Sequence, residues 1–399
     1  MTFFAPRLDR IKLSPSYAAT QKVRELQAQG RDIIKLTMGE PDFPTPDNVK
    51  RAAVEAIARN ETRYTTVDGT QELKEAVRAK FKRENGLDYA RDQIAASSGS
   101  KQIMFNAMMA TLTPGDEVLI LAPHWVSYPD MVLVADGTPK IIVCSEKNGF
   151  KLTPAQLDAA ITPRTKWLVF NSPSNPCGAV YSRAEIKALA DVLLRHPQVW
   201  ILCDDIYEHL LYGEREFATI AQVEPALYDR TLTVNGVSKT YAMTGWRIGF
   251  AGGPRELIRN MAKLQSQSSY NPCSISQAAA VEALTGPQEY VRMRALEFQQ
   301  RRDVMIPLLN AAPGLTCRNP EGALYSFPNC SGALGKKTPN GKTLATEQDF
   351  ALYLLDNGVA GVQGEAYGLS PHVRLSFATD LETLKEGCRR IQRACAALK

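Results

Sequence analysis

The chain has 399 residues, with 47 Lys and Arg against 42 Asp and Glu; its formal charge is +5, and it is 44% hydrophobic and 22% charged. That length carries one large α/β domain or two intimate ones with an ample core, and the composition excludes disordered, collagenous and coiled-coil chains. The positive excess is too thin for a nucleic-acid or membrane surface: Arg301-Arg302 and Arg389-Arg390 read as solvated helix faces, so neither partner is expected.

The eight cysteines, at 144, 177, 203, 273, 317, 330, 388 and 395, form no Cys-x-x-Cys pair and the four histidines are scattered, so no metal site is expected. No apolar run approaches the ~18 residues of a membrane span. Met1-Thr2-Phe3-Phe4-Ala5-Pro6 lacks the basic lead of a secretion signal, and a reduced, cytoplasmic protein is the expectation.

Between residues 48 and 290, short apolar runs alternate with amphipathic stretches. Strands are predicted at 93–96, 117–121, 140–143, 167–170, 199–203, 231–234 and 248–251, most of them continuously apolar. That pattern marks strands buried on both faces, as in a mostly parallel sheet covered by helices. Helices are predicted at 102–112 and at 182–195, where Ile186, Leu189, Ala190 and Leu193 share a face. Gly286-Pro287 breaks the pattern. A long Arg-rich helix to about residue 310 follows, then strands near 323–327 and 374–377 and helices at 347–355 and 381–397. The division is a large α/β domain at 48–290 and a smaller α+β domain at 291–399, which the Pro-rich segment 1–47 joins.

In open α/β sheets the chemistry lies beyond the carboxyl ends of the strands. Four segments there matter. Ser97-Ser98-Gly99-Ser100-Lys101 opens a helix and offers free N–H groups to a phosphate, although alone it reads better as a plain turn. Asn171-Ser172-Pro173-Ser174-Asn175-Pro176 is a rigid loop that could aim the Asn175 amide; turn chemistry is the better reading of it alone. Asp204 ends a buried strand, where a carboxylate needs a partner, either a helix or loop N-terminus or a functional cation. Lys239, among small and apolar residues, could be desolvated into a nucleophilic amine. Together these are what pyridoxal phosphate requires: a lysine for its aldehyde, a phosphate cradle, an acid at the pyridine nitrogen and donors to the ring oxygen.

The run Ser238-Lys239, followed by Thr244-Gly245-Trp246-Arg247-Ile248-Gly249, resembles the lysine motif of the fold-type I, class I aminotransferases. So do Leu36 through Phe43, Tyr64 through Gly69, Pro123 through Pro129 and Val373 through Phe377, and the resemblance spans nearly the whole chain. It is strongest to the bacterial aspartate aminotransferase branch, some members of which also transaminate prephenate.

The resemblance implies a fold-type I transferase moving an amino group between aspartate or glutamate and 2-oxoglutarate or oxaloacetate. The alternatives are a prephenate or broader-specificity aminotransferase, or a β-lyase using the same cofactor. Lys239 would hold the cofactor as a Schiff base and move the proton as acid and base. Asp204 would keep the pyridine nitrogen protonated, with Tyr207 and Asn175 on the ring oxygen and Trp125 stacked on the ring. Gly99, the N–H groups of Ser100 and Lys101, Ser238 and Arg247 would cradle the phosphate. Arg374 and the backbone near Gly39 would take the substrate α-carboxylate, with Trp125 and Asn175 beside it. Tyr64 would reach the site of a second copy in a homodimer. Lys12 is the candidate for a side-chain carboxylate. Because Asp204 and Tyr207 are three residues apart, the strand must end near Asp204 for both to face one ring. Three residues depart from the family pattern: His124 replaces Tyr, Ser100 replaces Gly, and Tyr270 replaces a small residue near the cofactor.

Overall fold

The computed structural model describes residues 3–13 and 15–399, without the side chains at 15–17 and 20. Its main sheet comprises β1 (Ile94–Ser97), β2 (Glu117–Ala122), β3 (Thr138–Val143), β4 (Thr165–Asn171), β5 (Trp200–Asp204), β6 (Thr231–Gly236) and β7 (Gly249–Gly252). The spatial order is β1-β7-β6-β5-β4-β2-β3. Strands β2 to β6 pair in parallel, while β7 runs antiparallel to both β6 and β1. Alternate residues of the apolar runs enter different cores. Val118, Ile120, Val169 and Leu202 pack on one face, and Leu119, Leu168, Phe170 and Ile201 on the other. Burial on both faces is why these strands read as unbroken apolar runs.

Two expectations change. The run at 140–143 suggested a buried strand, but β3 pairs only with β2 at the sheet edge, and Ile141 and Val143 are 42% and 52% exposed. Apolarity encodes the preference of a strand for cover but not whether a neighbour supplies it. The helix expected from residue 102 begins earlier, as α1 (Ser100–Thr111), because Gly99 at φ 91° turns the chain directly out of β1. Ser100 and Lys101 therefore occupy the first helical turn.

The last third folds around α2 (Glu289–Asn310), α3 (Glu347–Asp356), α4 (Leu381–Ala396) and a three-stranded antiparallel sheet. That sheet is made of β8 (Tyr325–Ser326), β9 (Val362–Gln363) and β10 (Val373–Ser376), with β10 central. The N-terminal strand Ile34–Lys35 pairs in parallel with Val359–Ala360, and Ile34 and Leu36 share a core with Phe298, Leu309, Leu375 and Ile391. Among the described residues no helix is long and apolar enough to cross a membrane.

Candidate active site

One cleft opens beyond the carboxyl ends of β4, β5 and β6, between the main sheet and β10. It gathers Gly39, Ser100, Lys101, Trp125, Asn175, Asp204, Tyr207, Ser238, Lys239, Arg247 and Arg374. Chain direction explains the convergence, since parallel strands deliver their following turns to the same edge. Strand β5 ends at Asp204, and the turn after it is closed by Glu208 N–H donating to Asp205 O at 3.0 Å and Leu210 N–H to Tyr207 O at 2.8 Å. That turn brings Tyr207 to the same cleft.

Asp204 is 4% exposed. One carboxylate oxygen accepts from the Tyr128 hydroxyl at 2.5 Å, while the other, Oδ1, is buried with no partner. Burial raises its pKa to about 6, against the lowering effects of the Tyr128 hydrogen bond, the Ile206 backbone N–H and the Lys239 charge. A bare buried acceptor is costly unless a donor meets it. Lys239 lies across the cleft and donates to Gly39 O. Burial lowers the amine to about 8, with Arg374 and Arg247 pushing the same way and Glu40 opposing. An amine so shifted reaches its free, nucleophilic form far more readily than an exposed lysine.

At the N-terminus of α1, the N–H groups of Ser100 and Lys101 have no acceptor within their own helix. Arg247 crosses this turn, donating to Thr244 O at 2.9 Å and Ser98 O at 3.4 Å. A Cβ at Gly99 would run into the Arg247 guanidinium, so only glycine permits this approach. The result is a pocket of donors beside a cation, suited to a phosphate. The Ser100 hydroxyl is turned away from it, to Asn235 O at 2.8 Å.

On the opposite wall, Arg374 donates to Asn175 Oδ1 at 3.1 Å and Thr37 O at 2.7 Å, and its Nε is buried without a partner. The guanidinium lies 4.4 Å from the Tyr325 ring centroid and 5.0 Å from that of Tyr367. Two aromatic faces thus fix its plane and leave an unused donor. The Tyr207 and Tyr325 hydroxyls meet at 2.8 Å. A Cβ on Gly39 would stand 2.5 Å from the Tyr325 hydroxyl, so that backbone can approach only as glycine.

Three candidates do not line the cleft: Gly99, which lies beneath the Arg247 guanidinium, Tyr64 and Lys12. Tyr64 is 88% exposed and packs edge-on against Tyr270, with centroids 5.4 Å apart. Tyr270 therefore does not narrow the cleft of its own chain. Lys12 lines a neighbouring cavity that shares Lys101 and Arg247 with the cleft and includes Asp130, Phe105 and Met131. Ser14, beside it in the sequence, lies outside the described residues. His124 is buried with Nδ1 at 3.0 Å from Trp125 O, so it supports the backbone of Trp125.

Sequence reasoning passed over Tyr128, Tyr325, Tyr367 and the Lys101 side chain. The Lys101 amine sits 4.8 Å from the centroid of Trp125, between the two cavities. Tyr128 and Tyr325 meet partners distant in the chain, and Tyr367, although seven residues from Arg374, carries no local signal of that contact.

A cleft at the switch edge of a mostly parallel sheet, with a buried lysine facing a buried acid and flanked by two arginines, defines an enzyme that captures small anionic molecules. The family profile described as "Aminotransferase class I and II" matches residues 31–391. The chain is 58% identical over 399 residues to the aspartate/prephenate aminotransferase of Cereibacter sphaeroides, covering all of both chains. It is similar to the crystal structure of the aspartate aminotransferase from Rhizobium meliloti, at 55% identity, full coverage of both chains and a TM-score of 0.97. It is also similar to the aspartate aminotransferase from Thermus thermophilus with maleate, at 42% identity, 99% and 100% coverage and a TM-score of 0.92. The chain belongs to the class I and II aminotransferases and is an aminotransferase.

Proposed function

We propose that this aminotransferase works with pyridoxal 5′-phosphate and moves the amino group of aspartate or glutamate to 2-oxoglutarate or oxaloacetate. The observation that carries the cofactor reading is the buried, unpartnered Asp204 Oδ1 facing the same cleft as Lys239. Oδ1 would accept a hydrogen bond from the pyridine N–H and keep that nitrogen protonated. The N–H groups of Ser100 and Lys101 and the Arg247 guanidinium would hold the phosphate, with Gly99 and Ser238 beside them. Trp125 would stack on the ring, and Tyr207 and Asn175 would donate to its phenolic oxygen. When bound, the cofactor supplies an aldehyde carbon that captures amines and a ring that withdraws electrons from the substrate Cα.

Lys239 would hold the cofactor through that carbon, and its free amine would take the proton from the substrate Cα and return it to the former aldehyde carbon, which requires a base of pKa near neutrality rather than an ordinary lysine. Arg374 forks the α-carboxylate, with the backbone near Gly39 alongside. Tyr325, Tyr367 and Asn175 prevent the guanidinium from turning. With the carboxylate pinned, the Cα–H bond rather than the Cα–carboxylate bond is presented for cleavage.

A donor to Asp204 has a measurable consequence. Tyr128→Phe removes the hydrogen bond that favours the charged carboxylate, so Asp204 moves above about 6 toward neutrality at working pH. Cofactor affinity falls about tenfold, the worth of roughly 1.4 kcal/mol for one charge-assisted bond. Equilibrium dialysis with cofactor checks this; unchanged affinity contradicts it.

The side-chain carboxylate of the substrate faces Lys12, with the Lys101 amine between the two cavities. The related Thermus structure holds maleate, a dicarboxylate, which supports a dicarboxylic substrate here. Prephenate also bears a second carboxylate, and the Cereibacter relative is named for both substrates. Lys12→Ala raises KM for aspartate about tenfold more than KM for an apolar amino acid. Equal effects remove Lys12 from the pocket. A panel of amino donors against 2-oxoglutarate, oxaloacetate and prephenate ranks the substrates; pyruvate and ammonia released without an acceptor mark a β-lyase instead.

The active unit is a homodimer in which the exposed Tyr64 reaches the phosphate of the second copy. The large part, 48–290, carries the cofactor, and 291–399 with 1–47 closes over substrate through Arg374. The eight cysteines are all free, which supports a reducing cytoplasmic location.

A further inference from the structure

Behind the Lys239 loop lies a polar cluster without a task in the chemistry above. Lys80 and Glu208, 1% and 4% exposed, form an ion pair, and Lys80 also donates to Asn85 Oδ1 at 2.8 Å. Glu208 accepts further bonds from Asn85 Nδ2 at 3.0 Å and Asn235 Nδ2 at 2.7 Å. His209 stands at the edge of this cluster. Its Nε2 is 3.1 Å from Glu84 Oε2 and its Nδ1 is 3.1 Å from Thr240 Oγ1. Thr240, 4% exposed, is the residue next to Lys239.

Glu84, Glu208 and His209 are close enough to share a metal ion. The Lys80 ammonium, bonded to Glu208 and 3.4 Å from Glu84, already supplies the cation these carboxylates need. The cluster is therefore a complete network rather than a metal site.

Its direction follows from Glu84. Burial opposes ionisation, but the His209 hydrogen bond and the Lys80 charge hold this carboxyl down to about 2. Glu84 is then only an acceptor, so His209 Nε2 carries the proton. On the other side of the ring, Nδ1 and the Thr240 hydroxyl form a second hydrogen bond, with Glu208 Oε1 3.6 Å from the same nitrogen. The chain Thr240–His209–Glu84 thus anchors the lysine loop to helix Gln71–Asn85, 31 and 125 residues apart at its two links.

The loop needs such an anchor. Its own backbone bonds are long: Tyr241 N to Val237 O at 3.3 Å, Ala242 N to Lys239 O at 3.4 Å and Met243 N to Ser238 O at 3.2 Å. Ala242 is held at φ 51°, outside the ordinary range for alanine. A second tether, Thr45 Oγ1 to Ala242 O at 2.8 Å, secures the far side. Between the two, the Thr240 hydroxyl fixes the residue whose neighbour carries the amine.

We propose that His209, backed by Glu84, is a positioning residue that sets where the Lys239 amine stands, acting through its hydrogen bond with Thr240. The inference rests on the reading of Lys239 as the cofactor lysine. With the anchor gone, the amine is no longer held in one place among Glu40, Asp204, Arg374 and Arg247, so its protonation changes and its aim at Cα is poorer.

The test uses the full-length holoenzyme. Thr240→Val removes the hydroxyl and keeps the shape, Thr240→Ser keeps the hydroxyl, and His209→Gln cannot bridge both partners. The readings are the pH midpoint of the visible cofactor band and steady-state kinetics. In Thr240→Val and His209→Gln the midpoint moves by about 0.5 unit or more. In both, kcat falls about tenfold while KM for the amino donor stays within about twofold, and Thr240→Ser restores wild-type behaviour. A wild-type midpoint and kcat in Thr240→Val, or equal impairment in Thr240→Ser, overturns the proposal. If Thr240→Val does not fold, the same readings on His209→Gln decide. Lys239→Ala separates the two failures. A cofactor band of wild-type position and pH dependence in that variant overturns the reading of Lys239; a band changed there but unmoved in Thr240→Val overturns only the role of His209.

Discussion

Lys239→Ala abolishes turnover, lowering kcat by about 10⁴-fold or more, because one residue supplies both the nucleophile and the acid/base. The visible band of the bound cofactor changes with it, since the covalent link to the protein is gone. The fold survives. The Lys239 side chain reaches Gly39 O at the cleft wall, and the apolar cores of the sheet do not depend on it. Circular dichroism and thermal melting of the variant are therefore close to wild type. Added primary amines restore part of the turnover, because the missing group is an amine and the rest of the cleft is intact. Turnover within tenfold of wild type contradicts the assignment.

Arg374→Ala carries the next largest effect. A carboxylate forked by a guanidinium gains two charge-assisted hydrogen bonds, each worth roughly 1.5–3 kcal/mol. Their loss lowers kcat/KM by about 10²–10⁴-fold. Arg374 is 3% exposed and packed between two tyrosines, so the alanine variant also leaves a cavity. Arg374→Lys resolves the ambiguity by keeping the charge and losing the planar fork. Its kcat/KM still falls about 100-fold, while the cofactor band and cofactor affinity stay near wild type. A lysine variant with wild-type kcat/KM removes Arg374 from carboxylate recognition.

Much of this site was legible in the sequence because parallel-sheet geometry concentrates it. The apolar runs at 167–170, 199–203 and 231–234 correspond to β4, β5 and β6, and the turns after them carry Asn175, Asp204 and Lys239 into one cleft. The need for Asp204 and Tyr207 to share a face required β5 to end at Asp204, and it does. What stayed hidden depends on contacts between distant segments. Tyr128 is 76 residues from Asp204, and the Tyr325 ring reaches Arg374 only once β8 and β10 pair. Lys80 on an amphipathic helix reads as a solvated cation, yet it is 1% exposed because Glu208 and Asn85 arrive to hold it. Strand β3 errs in the other direction: an apolar run says nothing about whether its strand lies inside the sheet or at the edge.

The central claim is that Lys239, among the lysines of the chain, carries the cofactor. Borohydride treatment of the holoenzyme reduces the carbon–nitrogen double bond and makes the attachment permanent, so that peptide mass mapping locates it. The predicted result is a single pyridoxyl-labelled peptide containing Lys239. A label on Lys101, the other lysine lining the cleft, or no label on any peptide, contradicts the account.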